Sequence, residues 1–89
     1  MNIYQVFDAS PDGREVALLD KRGRCHLARA IGVSASPAVG LRLEGRRLAM
    51  GPAKLGCGMT SRVYDLEVAA LDCDRQQMIE RLHPQVTRF

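Results

Sequence analysis

Cys57 is the side chain with the plainest capacity for chemistry. It sits between Gly56 and Gly58 in the stretch Gly51-Pro52-Ala53-Lys54-Leu55-Gly56-Cys57-Gly58. A thiol becomes a nucleophile when a nearby cation or helix N-terminus favours its thiolate. Lys54 and Arg62 are near in sequence and no acid adjoins. Flanking glycines imply an exposed, flexible loop, and a passive loop cysteine is the reading this pattern favours. The same stretch also has the glycine spacing of a phosphate-binding loop. That motif, however, needs Lys and then Ser or Thr directly after its second glycine. Cys57 and Gly58 stand there instead, and no helical pattern follows, so no nucleotide site is expected.

Metal chemistry would draw on Cys25, His26, Cys57, Cys73 and His83. Structural zinc sites present ligands in pairs at C-x₂₋₄-C or H-x₃₋₅-H spacing, because one short turn can then supply both. None of these residues is so spaced, and neighbours in a strand point to opposite faces. Cys25 and Cys73 read as small core hydrophobes, and no metal is expected. His26 falls on the polar side of an alternating run, and His83 precedes Pro84. Asp72 and Asp74 suit the N-terminus of a helix electrostatically. No nucleophile–base–acid set follows from order or spacing, so the expectation is a protein without catalytic residues and without a cofactor.

Charge is distributed unevenly along the chain. Residues 1–20 carry Arg14 against Asp8, Asp12, Glu15 and Asp20. Residues 21–62 carry Lys21, Arg22, Arg24, Arg29, Arg42, Arg46, Arg47, Lys54 and Arg62 against Glu44 alone. The remainder is acidic again, so a formal net charge of +3 conceals a strongly basic middle. Such a segment attracts polyanions, and Lys21, Arg22, Arg24, Arg42, Arg46, Arg47 and Arg62 are the candidate contacts. A single-strand binder would also expose aromatic rings for base stacking. This chain has only Tyr4, Phe7, Tyr64 and Phe89, and Tyr64 falls on an apolar face.

The elements that must position these residues are short strands. Ile3–Asp8 is followed by the turn Ser10-Pro11-Asp12-Gly13, where Pro presets φ and Gly accepts the conformation that closes it. Val16-Ala17-Leu18-Leu19 is apolar without alternation, as in a strand covered on both faces. Lys21-Arg22-Gly23 turns the chain into Arg24–Ala28, which puts Cys25 and Leu27 on one face and Arg24 and His26 on the other. A looser stretch, Gly32–Pro37, leads to Val39, Leu41 and Leu43, which alternate with Gly40, Arg42 and Glu44 as in a half-buried strand. Glu44-Gly45-Arg46 reads as a turn and Leu48–Met50 as a short return strand. Tyr64, Leu66, Val68 and Ala70 then alternate inward. The period changes after Ala70: Asp74 and Gln77 resemble a capping box, and Met78, Ile79 and Leu82 share a helical face that Pro84 should terminate.

The fold class expected is mainly β: a small antiparallel barrel or curled sheet of five to six strands with one short C-terminal helix. By strand count and turn placement the pattern is similar to an OB-like or SH3-like barrel. Residues 1–84 should form a single β-rich domain and residues 85–89 a frayed tail. At 89 residues, 46% of them hydrophobic, the chain has room for one modest core. No run of apolar residues is long enough to cross a bilayer, and the first residues lack a signal-peptide pattern. Three widely spaced cysteines suit free thiols more than a disulfide framework, and together these features imply a cytoplasmic protein with no membrane or metal partner. The function expected is a non-catalytic interaction or accessory module for an unknown protein partner. The alternative is a nucleic-acid-binding module that sets its basic segment, residues 21–62, on phosphates.

Overall fold

Six antiparallel strands close on themselves in the computed structural model, which describes residues 1–32 and 36–83. The strands are β1 (Asn2–Ala9), β2 (Glu15–Asp20), β3 (Cys25–Ala30), β4 (Arg42–Gly45), β5 (Gly51–Cys57) and β6 (Arg62–Cys73), followed by α1 (Arg75–Leu82). Around the barrel they run β1-β2-β3-β6-β5-β4. Two three-stranded meanders are therefore joined along two seams, β3 with β6 and β1 with β4. Closure pairs each strand with a neighbour on both sides and leaves little sheet edge to recruit another chain. The expected fold class is the one observed, with six strands and one short helix. Val33–Ala35 within the looser stretch, Pro84 and the expected tail over 85–89 lie outside the described residues.

Alternation fills the barrel. Val6, Val16, Leu18, Ala28, Leu43, Leu55, Tyr64, Leu66 and Val68 are buried together in its interior. A second, smaller cluster lies outside the barrel wall, where Ala17, Cys25 and Leu27 meet Met78 and Leu82 of α1. This is why Val16, Ala17 and Leu18 are all fully buried although they are consecutive. Val16 and Leu18 face the interior, and the helix covers Ala17 from the other side.

Extra residues in the long strands redirect side chains outward. Two residues of β1, Phe7 and Asp8, span a single step of β2. Phe7, next to inward-facing Val6, packs in the outer cluster by ordinary alternation, where the guanidinium of Arg75 lies 5.5 Å from its ring centroid. The extra residue sets Asp8 opposite Ala17, on the outer side too. β6 likewise carries extra residues against Leu27–Ala28 and against Cys25–Leu27. A bulge of this kind bends the strand and reverses the side-chain alternation beyond it. Ala70 was expected to face inward with Val68; it packs instead beneath the helix, while Leu71 packs on the inner core.

Gly51–Gly58 is not a loop: Gly51 to Cys57 pair residue by residue with Val68 to Arg62. Pro52 is tolerated because β4 pairs with β5 only at Glu44 and Gly56, which leaves the first half of β5 without a partner on that side. Leu48–Met50 is irregular, and the return strand starts at Gly51. Gly45 ends β4 rather than forming a turn. A Cβ there would come within 2.7 Å of the Leu55 side chain and 3.0 Å of the Lys54 carbonyl oxygen, so glycine permits the close approach of β4 to β5. Val39 is 57% exposed, although expected in the core. Gly40 takes φ +99° and breaks the pleat, so Val39 does not continue the face of Leu41 and Leu43.

The helix starts and stops where expected, but its N-terminus differs. Asp74 is the N-cap with extended backbone, yet its side chain makes no capping hydrogen bond. Met78 and Leu82 are buried, while Ile79 is 38% exposed at the edge of the apolar stripe. An ion pair and a hydrogen-bonded contact hold the helix to the wall: Arg81 Nε lies 3.5 Å from Glu15, and His83 Nε2 lies 2.9 Å from Asp8 Oδ1.

Leu66 is fully buried in the inner core and Val39 is not. Leu66→Ala should therefore lower stability by about 2–5 kcal/mol, while Val39→Ala should stay within roughly 0.5 kcal/mol of wild type. Urea denaturation of both variants checks the assignment. Equal midpoints for Leu66→Ala and wild type would contradict it.

Candidate basic cleft at one end of the barrel

Antiparallel registers sort the basic residues by height along the barrel. The β2–β3 turn, the chain after β4 and the end of β6 lie at the end where β1 begins. Lys21, Arg22 and Arg24 belong to that turn, and Arg46 and Arg47 follow β4. Lys21, Arg22, Arg24 and Arg47 line one polar cleft of about 390 Å³, whose floor includes His26 and Asp20. Arg46 is exposed beside Arg47 but does not line the cleft. Arg42 opposes Gln5 at the start of β4, and Arg62 opposes Cys57 at the start of β6. Arg42 thus stands at mid-barrel and Arg62 at the far end of β6 from Cys73; neither lines the cleft, so the seven do not form one surface.

A buried polar network fixes the backbone of the segments that carry the cleft's cations. His26 is only 6% exposed, which corrects its placement on a solvated face. Its neighbours do alternate as expected. The face of Cys25 and Leu27, however, is the outer one beneath α1, and His26 turns toward the inside of the barrel end, edge-on to Tyr4 with ring centroids 6.1 Å apart. The backbone N–H of Asp72 donates to His26 Nδ1 at 3.2 Å. That nitrogen is an acceptor and bears no proton, so Nε2 carries it and donates to Asp20 Oδ2 at 3.0 Å.

Asp20 organises the turn that follows it. Its Oδ1 accepts the backbone N–H groups of Arg22 at 2.8 Å and Arg24 at 3.0 Å, while Gly23, at φ +80°, closes the turn onto the Asp20 carbonyl. Burial alone would raise the Asp20 carboxyl. The imidazole N–H and the two backbone N–H groups outweigh that and hold it below its ordinary value of 3.8. On the far wall the Tyr4 hydroxyl accepts the backbone N–H of Leu48 at 3.0 Å, which anchors the segment carrying Arg47. Asp72 takes a left-handed backbone, φ +53°, at the second bulge of β6. Aspartate is among the few residues that adopt it readily, and here it aims its N–H at His26. Its carboxylate also meets Arg24 at 3.4 Å in a pair more than half exposed on both sides, which contributes little to stability.

The remaining candidates do not assemble into a second site. Cys57 is 2% exposed at the end of β5, not in an open loop. The Thr60 hydroxyl, opposed by burial and aided by the N–H groups of Thr60 and Met59, lowers its thiol below the ordinary value, while Glu44 acts in the other direction. His83 lies at the end of α1, in contact with Asp8 and far in sequence from His26. Among the described residues no three His, Cys, Asp or Glu side chains gather as a metal ion would require. No described helix is long and apolar enough to cross a membrane. Compared with known proteins, the chain matches no family model, no curated protein and no solved structure.

The network was only partly visible in the sequence. Nothing local marks His26 as buried, because Asp72 and Tyr4 reach it across long sequence separations. The turn Lys21-Arg22-Gly23 was legible; the aspartate just ahead of it, a residue type that bonds to following amides, was the local signal that could have found Asp20.

Asp20→Ala removes one acceptor for the buried imidazole and two for the turn, and should cost about 1–3 kcal/mol at neutral pH. Because the folded carboxyl lies below its unfolded value, its contribution is present above about pH 4 and is lost as pH falls through the depressed folded value. Chemical denaturation across pH should thus show the wild-type advantage shrinking on acidification. An advantage that grows as pH falls would contradict the network.

Proposed function

We propose that this chain is a non-catalytic binding module whose basic barrel end docks an acidic segment of a protein partner. The observation that carries the reading is the convergence of Lys21, Arg22, Arg24 and Arg47 on one cleft, each on a segment pinned by Tyr4, Asp20 or His26. A backbone already held in place loses less freedom on binding than a mobile loop, which favours recognition over diffuse attraction. Both nitrogens of His26 are engaged within the protein, which supports a positioning role for it rather than acid–base work on a substrate. In this reading the architecture is OB-like in the general sense of a small closed antiparallel barrel with loops gathered at its ends. A cytoplasmic setting belongs to the same proposal, supported by three unpaired thiols.

Nucleic-acid binding by the basic segment 21–62 is the competing reading, and two observations weigh against it. Arg42, at mid-barrel opposite Gln5, and Arg62, at the far end of β6, both lie outside the cleft, so the segment does not lay a continuous track for a phosphate backbone. Tyr4 and Tyr64 are buried, and Phe7 packs against the outer cluster, so none of these rings offers a stacking platform.

Fluorescence anisotropy with a labelled polyglutamate peptide and a labelled DNA duplex separates the two. The peptide should bind, weaken as salt rises from about 50 to about 200 mM, and lose at least roughly tenfold in affinity in an Arg22→Ala/Arg47→Ala variant, about 1.4 kcal/mol. Duplex affinity below micromolar at physiological salt, with a salt slope that flattens by about two units in that variant, would make this a nucleic-acid module instead.

A further inference from the structure

Cys25 and Cys73 are direct partners across the β3–β6 seam. Both side chains belong to the outer cluster beneath α1, so they lie on the same face of the sheet. Directly opposed residues of an antiparallel pair hold their Cα atoms about 4.5 or 5.5 Å apart, within the roughly 4.4–6.8 Å that a disulfide spans. Both thiols are free, Cys25 is 1% exposed, and Cys73 is partly open to a shallow apolar groove beside Met78 and Arg81.

We infer that Cys25 and Cys73 form a reversible cross-strand disulfide, with Cys73 as the thiol that meets the oxidant. The oxidant is a small-molecule disulfide such as oxidised glutathione. The Cys73 thiolate attacks one of its sulfurs, its S–S bond breaks, and one small thiolate leaves. Cys25 then loses its proton and attacks the Cys73 sulfur, expelling the second small thiolate. The protein gives up two electrons and two protons, and the small disulfide becomes two thiols. A reducing thiol pool runs the same steps backward.

Burial, together with the nearness of Cys25, raises the Cys73 thiol above its ordinary value, although the Leu27 N–H and Arg81 act in the opposite sense. The first step is therefore slow near neutrality and accelerates with pH. The bond would staple one of the two seams that close the barrel, and the loop it closes contains the whole of β4 and β5. Arg24 and Asp72, which adjoin the two cysteines, form an ion pair across the same seam, so the staple also fixes one wall of the basic cleft.

The test uses the full chain carrying Cys57→Ser, which leaves only this pair, incubated with oxidised glutathione at mildly alkaline pH. Intact mass should fall by two hydrogens without a retained glutathione. Non-reducing peptide mapping should join the Cys25 and Cys73 peptides, and dithiothreitol should separate them. The oxidised form should melt roughly 10 °C higher than the reduced form. Adding Cys25→Ser should trap glutathione on Cys73, which shows that the first step stands even without its resolving partner. A glutathione adduct that persists on Cys73 while Cys25 is present, dimers linked through Cys73, or unreacted thiols after prolonged exposure would each overturn the inference.

Discussion

His26 is wedged between three segments that are remote in sequence, and each of its contacts fixes one of them. Nε2 holds Asp20 and with it the β2–β3 turn; Nδ1 receives the Asp72 N–H at the end of β6; the ring edge meets Tyr4 of β1. Tyr4 passes the constraint on to Leu48 and the segment bearing Arg47. A buried imidazole without partners is costly, and this one has a partner for each nitrogen. The cations at this barrel end owe their positions to groups that contribute nothing to the charge of the rim.

Barrel closure supplies the setting for that network. β6 is the longest strand, and it pairs with β5 over its first half and with β3 toward its end. Its bulges do two jobs that a regular strand could not. One moves Ala70 out beneath α1, and the other places Asp72 in the left-handed conformation that aims its N–H at His26. The β1 bulge sends Asp8 outward beside Phe7, where the two meet His83 and Arg75. The placement of Asp8 against the helix end, of Ala70 beneath the helix and of Asp72 in the cleft wall follows from a few extra residues in the ladders.

Period-two alternation made Tyr64, Leu66 and Val68 legible as core, and the unbroken run Val16–Leu18 announced a strand covered on both faces. Helix position was legible from the change of period after Ala70 and from Pro84. β5 was missed because glycines and a proline at its ends outweighed a real signal: Ala53, Leu55 and Cys57 alternate, and the last two are buried. Bulges reverse alternation with no local mark in the sequence, so Ala70 was assigned to the wrong side. The basic segment was legible as charge but not as a site. Only the register separates Arg42 and Arg62 from the cleft, and only the register sets Cys25 against Cys73.

His26 holds this end of the barrel as a doubly bonded clasp, and its tautomer is directly observable. Long-range ¹H–¹⁵N correlation NMR of imidazole-labelled protein at neutral pH reads the protonation of each ring nitrogen. An unprotonated Nδ1 and a protonated Nε2 are predicted for His26, with the pattern lost in Asp20→Ala. A proton fixed on Nδ1, or the averaged signals of a solvent-exposed imidazole, would contradict the bond from Asp72 and with it the origin of the cleft.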